Sequence, residues 1–149
     1  LGWMVVPPDA VKIAEKLSQN LFICPSSVAQ YAALGAFSTD AKNEMERNKA
    51  EFKKRRDFLV PALRKLGFGV PLMPEGAFYV YAKLPAGLGS SEAFAQFLLE
   101  QHHVAITPGT DFGTYLAEDY ARFSYSQDLE TLKKGVERIT LALERNRGI

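Results

Sequence analysis

Tyr120-Ala121-Arg122-Phe123-Ser124-Tyr125-Ser126 reads as a strand with an arginine set inside it. Period two places Arg122 on one face with Tyr120 and Ser124, and turns Ala121, Phe123 and Tyr125 to the other. A guanidinium is a planar fork that meets a carboxylate through two parallel hydrogen bonds. A strand holds that fork more rigidly than a loop does. A strand arginine also serves to pair with a surface Glu or Asp, and from these residues alone that is the simpler account.

The stretch Thr107-Pro108-Gly109-Thr110-Asp111-Phe112-Gly113 follows a strand end. Two glycines bracket a phenylalanine, so backbone there can approach a ligand closely and Phe112 can form a wall. A plain turn with one aromatic anchor has the same sequence. The spacing is not that of a phosphate loop, since the GxGxxG and Walker patterns are both absent.

Other reactive residue types have simpler explanations. Lys53-Lys54-Arg55-Arg56 is a basic run, but Glu51 stands four residues before Arg55 and Asp57 four after Lys53. A solvated, ion-paired helix face accounts for it. His102 and His103 are adjacent, so they cannot share a helix face as metal ligands spaced i, i+4 do. A helix C-terminus favours histidine through its dipole. Cys24, the single cysteine, has no evident His partner and reads as a small core residue rather than a nucleophile. No GxSxG element appears.

The elements that must position these residues follow from periodicity. Leu1 to Pro7 is an apolar run that reads as a buried strand cut short, with its neighbours expected upstream. Pro7-Pro8-Asp9 opens a helix to about Asn20, with Ala10, Ile13, Ala14 and Leu17 on one face. Ser26-Ser27 starts an Ala-rich helix over Val28 to Phe37. Asp40 to Leu66 reads as a long helix, with Met45, Phe52, Leu59 and Leu66 recurring every seven residues. Pro61 interrupts it and predicts a kink near Asp57 to Val60, and Gly67 stops it. Beyond Gly67 strands and helices alternate. Strands are predicted at Phe78 to Leu84, Val104 to Thr107 and Tyr120 to Ser126. A helix capped by Ser90 or Ser91 carries Phe94, Phe97 and Leu98, and a last helix carries Leu129, Leu132, Val136, Ile139 and Leu143.

The fold class is therefore α/β: an α+β small domain with a three-stranded sheet and helices packed on it. The long kinked helix precedes it, and the first strand and two helices look like the rim of a larger domain. The boundary is placed near Thr39 to Lys42, giving segments 1–39 and 40–149, the second including the helix 40–66. With 149 residues, 47% hydrophobic and 23% charged, the composition is that of an ordinary soluble globular protein. A net charge of +1 gives no electrostatic footprint for nucleic acid or an anionic membrane. One cysteine permits no internal disulfide, which suits a reducing, cytoplasmic setting. No apolar run approaches the ~20 residues needed to span a bilayer.

Five segments, in order, resemble the class I/II (fold-type-I) aminotransferases. Leu1-Gly2-Trp3-Met4-Val5 is similar to the end of a segment that begins Ser-x-Ser-Lys and closes on Gly-x-Arg-x-Gly-Trp. Ser26 to Gln30 and the helix after it resemble the next helix of the family. Pro74-Glu75-Gly76-Ala77-Phe78-Tyr79 resembles its Pro-x-Gly-(Gly/Ala)-Phe-Tyr strand start. Val104 to Gly113 resembles its Val-x-x-x-Pro-Gly-x-x-Phe-Gly loop, and Tyr120 to Tyr125 its x-x-Arg-(Leu/Phe)-Ser-(Phe/Tyr) strand. The likeness is to the C-terminal part of an aspartate-aminotransferase-like enzyme and covers essentially the whole chain.

The resemblance implies roles. Arg122 matches the arginine that grips the substrate α-carboxylate, and Phe112 a residue on the substrate side of the cleft. Ser26 or Ser27 matches a position near the cofactor phosphate of a partner subunit. It implies pyridoxal 5'-phosphate (PLP), amino-acid and 2-oxo-acid substrates, and a homodimer. It also implies that the Schiff-base lysine, the phosphate-binding arginine and the partners of the pyridine ring lie upstream of Leu1. No lysine here sits in a Ser-x-x-Lys context. PLP chemistry needs that imine, so these 149 residues alone are expected to be inactive, with no catalytic residue of their own.

Rival readings remain at this point. A PLP-fold lyase or synthase, or an aminotransferase-like domain fused to a regulator, would keep Arg122. A cofactor-free interaction module would use the Leu1 to Pro7 run as a docking edge.

Overall fold

The computed structural model describes residues 1–146, with side chains as far as Glu144. It divides into two compact units, Leu1–Asn48 and Lys49–Ile149. The division falls inside a long helix.

The first unit is helical. Helix α1 (Pro8–Leu21) opens on Pro8, with Asp9 in the first turn. Proline costs nothing there because its missing N–H would have had no intrahelical partner. Helix α2 (Ser27–Gly35) follows, with Ser26 at the cap position but no hydrogen bond from a backbone N–H to its hydroxyl. No side chain in residues 1–48 is buried. The strand expected over Leu1 to Pro7 does not form. Apolar composition favours burial, but a strand also needs a partner's N–H and C=O groups, and among the described residues nothing pairs with this run. Cys24, expected in a core, is exposed.

Helix α3 (Thr39–Lys65) runs on through Pro61. Its last turns bury Leu59, Val60 and Leu63. Gly67, at φ 93°, takes the left-handed turn that ends the helix, and Phe68 N–H returns to the Leu63 carbonyl.

The second unit holds a three-stranded antiparallel sheet in the order β1 (Tyr79–Lys83), β3 (Tyr120–Ser124), β2 (Thr107–Pro108). Helix α4 (Ser91–His102) precedes β2, and α5 (Leu129–Asn146) closes the chain's described part. Burial alternates along β1 and β3 as period two demands. Val80, Ala82, Ala121 and Phe123 join one core with Leu59, Leu63, Phe94, Leu98, Leu132 and Ile139. Strand β2 sits later than expected. Val104 to Ile106 is unpaired, and Pro108 is itself in the strand. An edge strand admits proline because one of its sides needs no ladder hydrogen bond.

The basic run on α3 is ion-paired. Lys53 meets Asp57 at 2.6 Å, Lys54 meets Glu51 at 3.3 Å, and Arg55 and Arg56 meet Glu51 and Asp57. The two arginines do more than that. Arg55 donates to the Ser126 carbonyl at 2.8 Å and Arg56 to the Pro74 carbonyl at 2.7 Å, which ties the segments flanking β1 and β3 to the helix.

Candidate functional site

The face of the sheet turned away from the core carries the candidate site. Register aligns Tyr81, Arg122 and Thr107 in one row across the three strands. Residues so paired point to the same face, which brings a fork cation, a phenol and a hydroxyl together without any loop having to aim them. Tyr79 sits two residues before Tyr81 on the same face.

Arg122 Nη2 donates to Thr107 Oγ1 at 3.3 Å. The guanidinium carbon lies 4.9 Å from the Phe112 ring centre and 5.3 Å from that of Tyr79. Two aromatic faces thus fix a flat cation by attraction to their π clouds. Among the described residues Arg122 has no ion pair. Tyr81 stacks on Tyr120, with ring centres 5.1 Å apart and planes 6° from parallel, and meets Phe112 edge-on at 6.2 Å. Burial, and then the neighbouring Tyr120, raise the Tyr81 phenol above its usual value near 10. It is therefore a neutral hydrogen-bonding group at neutral pH.

Tyr79, Tyr81, Phe112 and Arg122 line a cleft of about 560 Å³ with Gly113, Thr114, Tyr115 and Ala117. Among the described residues, its one charged lining residue is Arg122. The cleft therefore suits a small anion whose remaining surface is apolar enough to lie against tyrosine and phenylalanine. Phe112 reaches it from the 3-10 turn Gly109–Asp111. Gly109 allows no side chain: a Cβ would collide with the Ala117 carbonyl and lie 2.7 Å from the Tyr120 carbonyl.

Structure thus brings Arg122 and Phe112 into contact. Ser26 and Ser27 belong to the first unit, where Ser27 lines a shallow cleft with Gln30, Tyr31 and Leu34. Sequence places Thr107 in the 107–113 stretch and Tyr79 at a strand start but gives neither of them, nor Tyr81, a role at the site. The alternation along β1 and β3 held the signal, since it turns both tyrosines to one face once the register is known. A second cleft beside α5 presents Lys134 and Arg138, but Arg138 already donates to the His103 carbonyl at 3.2 Å. Among the described residues no cluster of His, Cys, Asp and Glu could hold a metal, and no helix is long and apolar enough to cross a membrane.

The chain has relatives among known proteins. The family profile "Aminotransferase class I and II" matches residues 1–139. Valine–pyruvate aminotransferase of Mycobacterium tuberculosis is 34% identical over 139 residues, covering 93% of this chain and 36% of that protein. Aspartate aminotransferase of Pyrococcus horikoshii is 34% identical over 145 residues, covering 97% and 37%. The crystal structure of an aminotransferase from Mycobacterium tuberculosis superposes with a TM-score of 0.87 at 34% identity, over 97% of this chain and 37% of that one. The chain spans little more than a third of the length of these relatives.

Proposed function

The chain belongs to the class I and II aminotransferases, and from that premise we propose that it supplies the grip on the substrate's α-carboxylate, with Arg122 as the binding fork. The observation that carries this is the guanidinium without an ion pair, held between Phe112 and Tyr79 in an aromatic cleft. A carboxylate entering the cleft meets a donor already oriented, so little side-chain freedom is lost on binding. The neutral Tyr81 hydroxyl and the ring of Phe112 bound the rest of the substrate.

The family implies PLP. Among the described residues, the cleft's lining includes no lysine for an imine and no carboxylate for a pyridine nitrogen. They fit the substrate's anion and do not by themselves fit the cofactor. PLP, when bound, supplies the electron sink of the reaction. The proposal assigns its lysine and ring partners to residues outside these 149, with residues 1–39 as the edge of the large domain that holds them and 40–149 as the small domain. Ser26 or Ser27 then lies near the cofactor phosphate of the partner subunit. Amino acids and 2-oxo acids as substrates, a homodimer and a cytoplasmic setting complete the reading. Orientation is the chemical contribution: a carboxylate fixed at Arg122 limits how the substrate's Cα can turn.

Arg122→Ala in the full-length protein tests this. The expected result is a KM for the amino donor raised about a hundredfold, the order of a lost charge-assisted pair. Cofactor absorbance is expected to be retained. An unchanged kcat/KM removes the assignment. A PLP-fold lyase or synthase would give the same binding loss, and product analysis separates it from a transaminase.

A further inference from the structure

The loop that carries Phe112 is closed by one buried hydroxyl. Ser90 caps α4, accepting from the Ala93 N–H at 3.3 Å. Ser91, the next residue, is completely buried and does something else. Its Oγ accepts from the Gly109 N–H at 3.3 Å and donates to the Ala117 carbonyl at 3.2 Å. Gly109 and Ala117 are themselves buried and stand at the two ends of the segment that presents Phe112, Gly113, Thr114 and Tyr115 to the cleft. A single side chain on a core helix therefore links the start of the segment to its end.

We infer that Ser91 is a positioning residue for carboxylate binding: it staples Gly109 to Ala117 and so holds Phe112 against Arg122. The inference rests on the proposed role of Arg122. Three features support it. The hydroxyl is matched on both sides, one donor and one acceptor, so it has no freedom to rotate away without leaving a buried backbone group unpaired. The other contacts around Gly109 leave no slack, since a Cβ there would meet Ala117, Tyr120 and the Tyr81 hydroxyl together. Finally, Phe112 is about half exposed, so packing alone does not hold it and its place depends on the ends of its segment.

The test uses the full-length protein with its cofactor. The amino donor is the best of glutamate, aspartate, alanine and phenylalanine. Ser91→Ala is expected to raise KM for that donor about tenfold, the size of one lost hydrogen-bonding arrangement, with kcat within about twofold. Amide exchange over residues 109–117 is expected to quicken at the same time. Ser91→Cys, which keeps a weaker donor and acceptor in nearly the same volume, is expected to fall between the two, and it carries the test if the alanine variant does not fold. Faster exchange with KM unchanged in both variants overturns the inference, because the staple would then be structural only. Arg122→Ala run beside them separates the two readings. If it raises KM and the Ser91 variants do not, the carboxylate grip stands and the staple falls. If Arg122→Ala leaves KM unchanged, the grip itself fails.

Discussion

Residues 1–48 and the unit that follows them both carry apolar side chains at helical spacing, yet they differ in what covers those side chains. In the first unit Trp3, Val5, Ile13, Leu17, Leu21 and Phe22 are all exposed. In the second, Leu63, Leu98, Val60 and Ala121 have no exposed surface at all. Periodicity states where apolar groups lie on an element. It does not state what packs on them. Only in the second unit does the chain supply its own cover, and only there can each buried polar group be followed to a partner. The candidate cleft is found in that unit because a rigid sheet is the part able to hold a row of three side chains in register.

The contrast is broken or sharpened most strongly by truncating one leucine in each unit. Leu98→Ala is expected to cost about 3 kcal/mol in denaturant unfolding, since it opens a cavity in a closed core. Leu17→Ala is expected to cost under about 0.5 kcal/mol, as an exposed position does. Equal losses would show the division between the units to be false. The next effect is Arg56→Ala, which removes the donor to the Pro74 carbonyl and is expected to cost roughly 1.5 kcal/mol by the same measurement.

Tyr125→Phe ranks third, at about 1 kcal/mol. The Tyr125 hydroxyl reaches the Gly76 and Ala77 carbonyls at 3.2 and 3.3 Å, and burial raises its phenol above the usual value. The folded chain then keeps that proton to higher pH than the unfolded chain does. Stability is complete below pH about 10 and falls as pH rises beyond it. Melting curves through that range are expected to show a smaller alkaline loss in Tyr125→Phe than in the parent. The smallest effect is Lys54→Ala, an exposed ion pair with Glu51, for which no change in melting temperature is expected.

Much of the fold is legible in the sequence alone. The alternation at β1 and β3, the stripe on α5 and the glycine stop after Lys65 are local signals, and each element forms within a few residues of its expected place. Leu1 to Pro7 misled because hydrophobicity predicts a wish for cover, while strand formation depends on a neighbour's backbone. The edge strand β2 moved because two residues pairing across a register leave almost no pattern to read. At the site, Arg122 and Phe112 came from chemistry and resemblance. The contact between them, and the part played by Thr107, required the register. Ser91 was hidden for another reason: beside Ser90 at a helix start, either serine could be the cap, and sequence does not tell a capping hydroxyl from one turned into the core.

The stacked pair of Tyr81 and Tyr120 has an optical consequence. Two phenol rings held nearly parallel at 5.1 Å couple their electronic transitions and sit in a fixed, chiral setting. The one tryptophan, Trp3, is 83% exposed and belongs to the other unit, so it contributes little fixed asymmetry of its own. Near-ultraviolet circular dichroism of this chain is thus weighted toward tyrosine, and its change on adding a carboxylate reports the cleft directly, with no label attached.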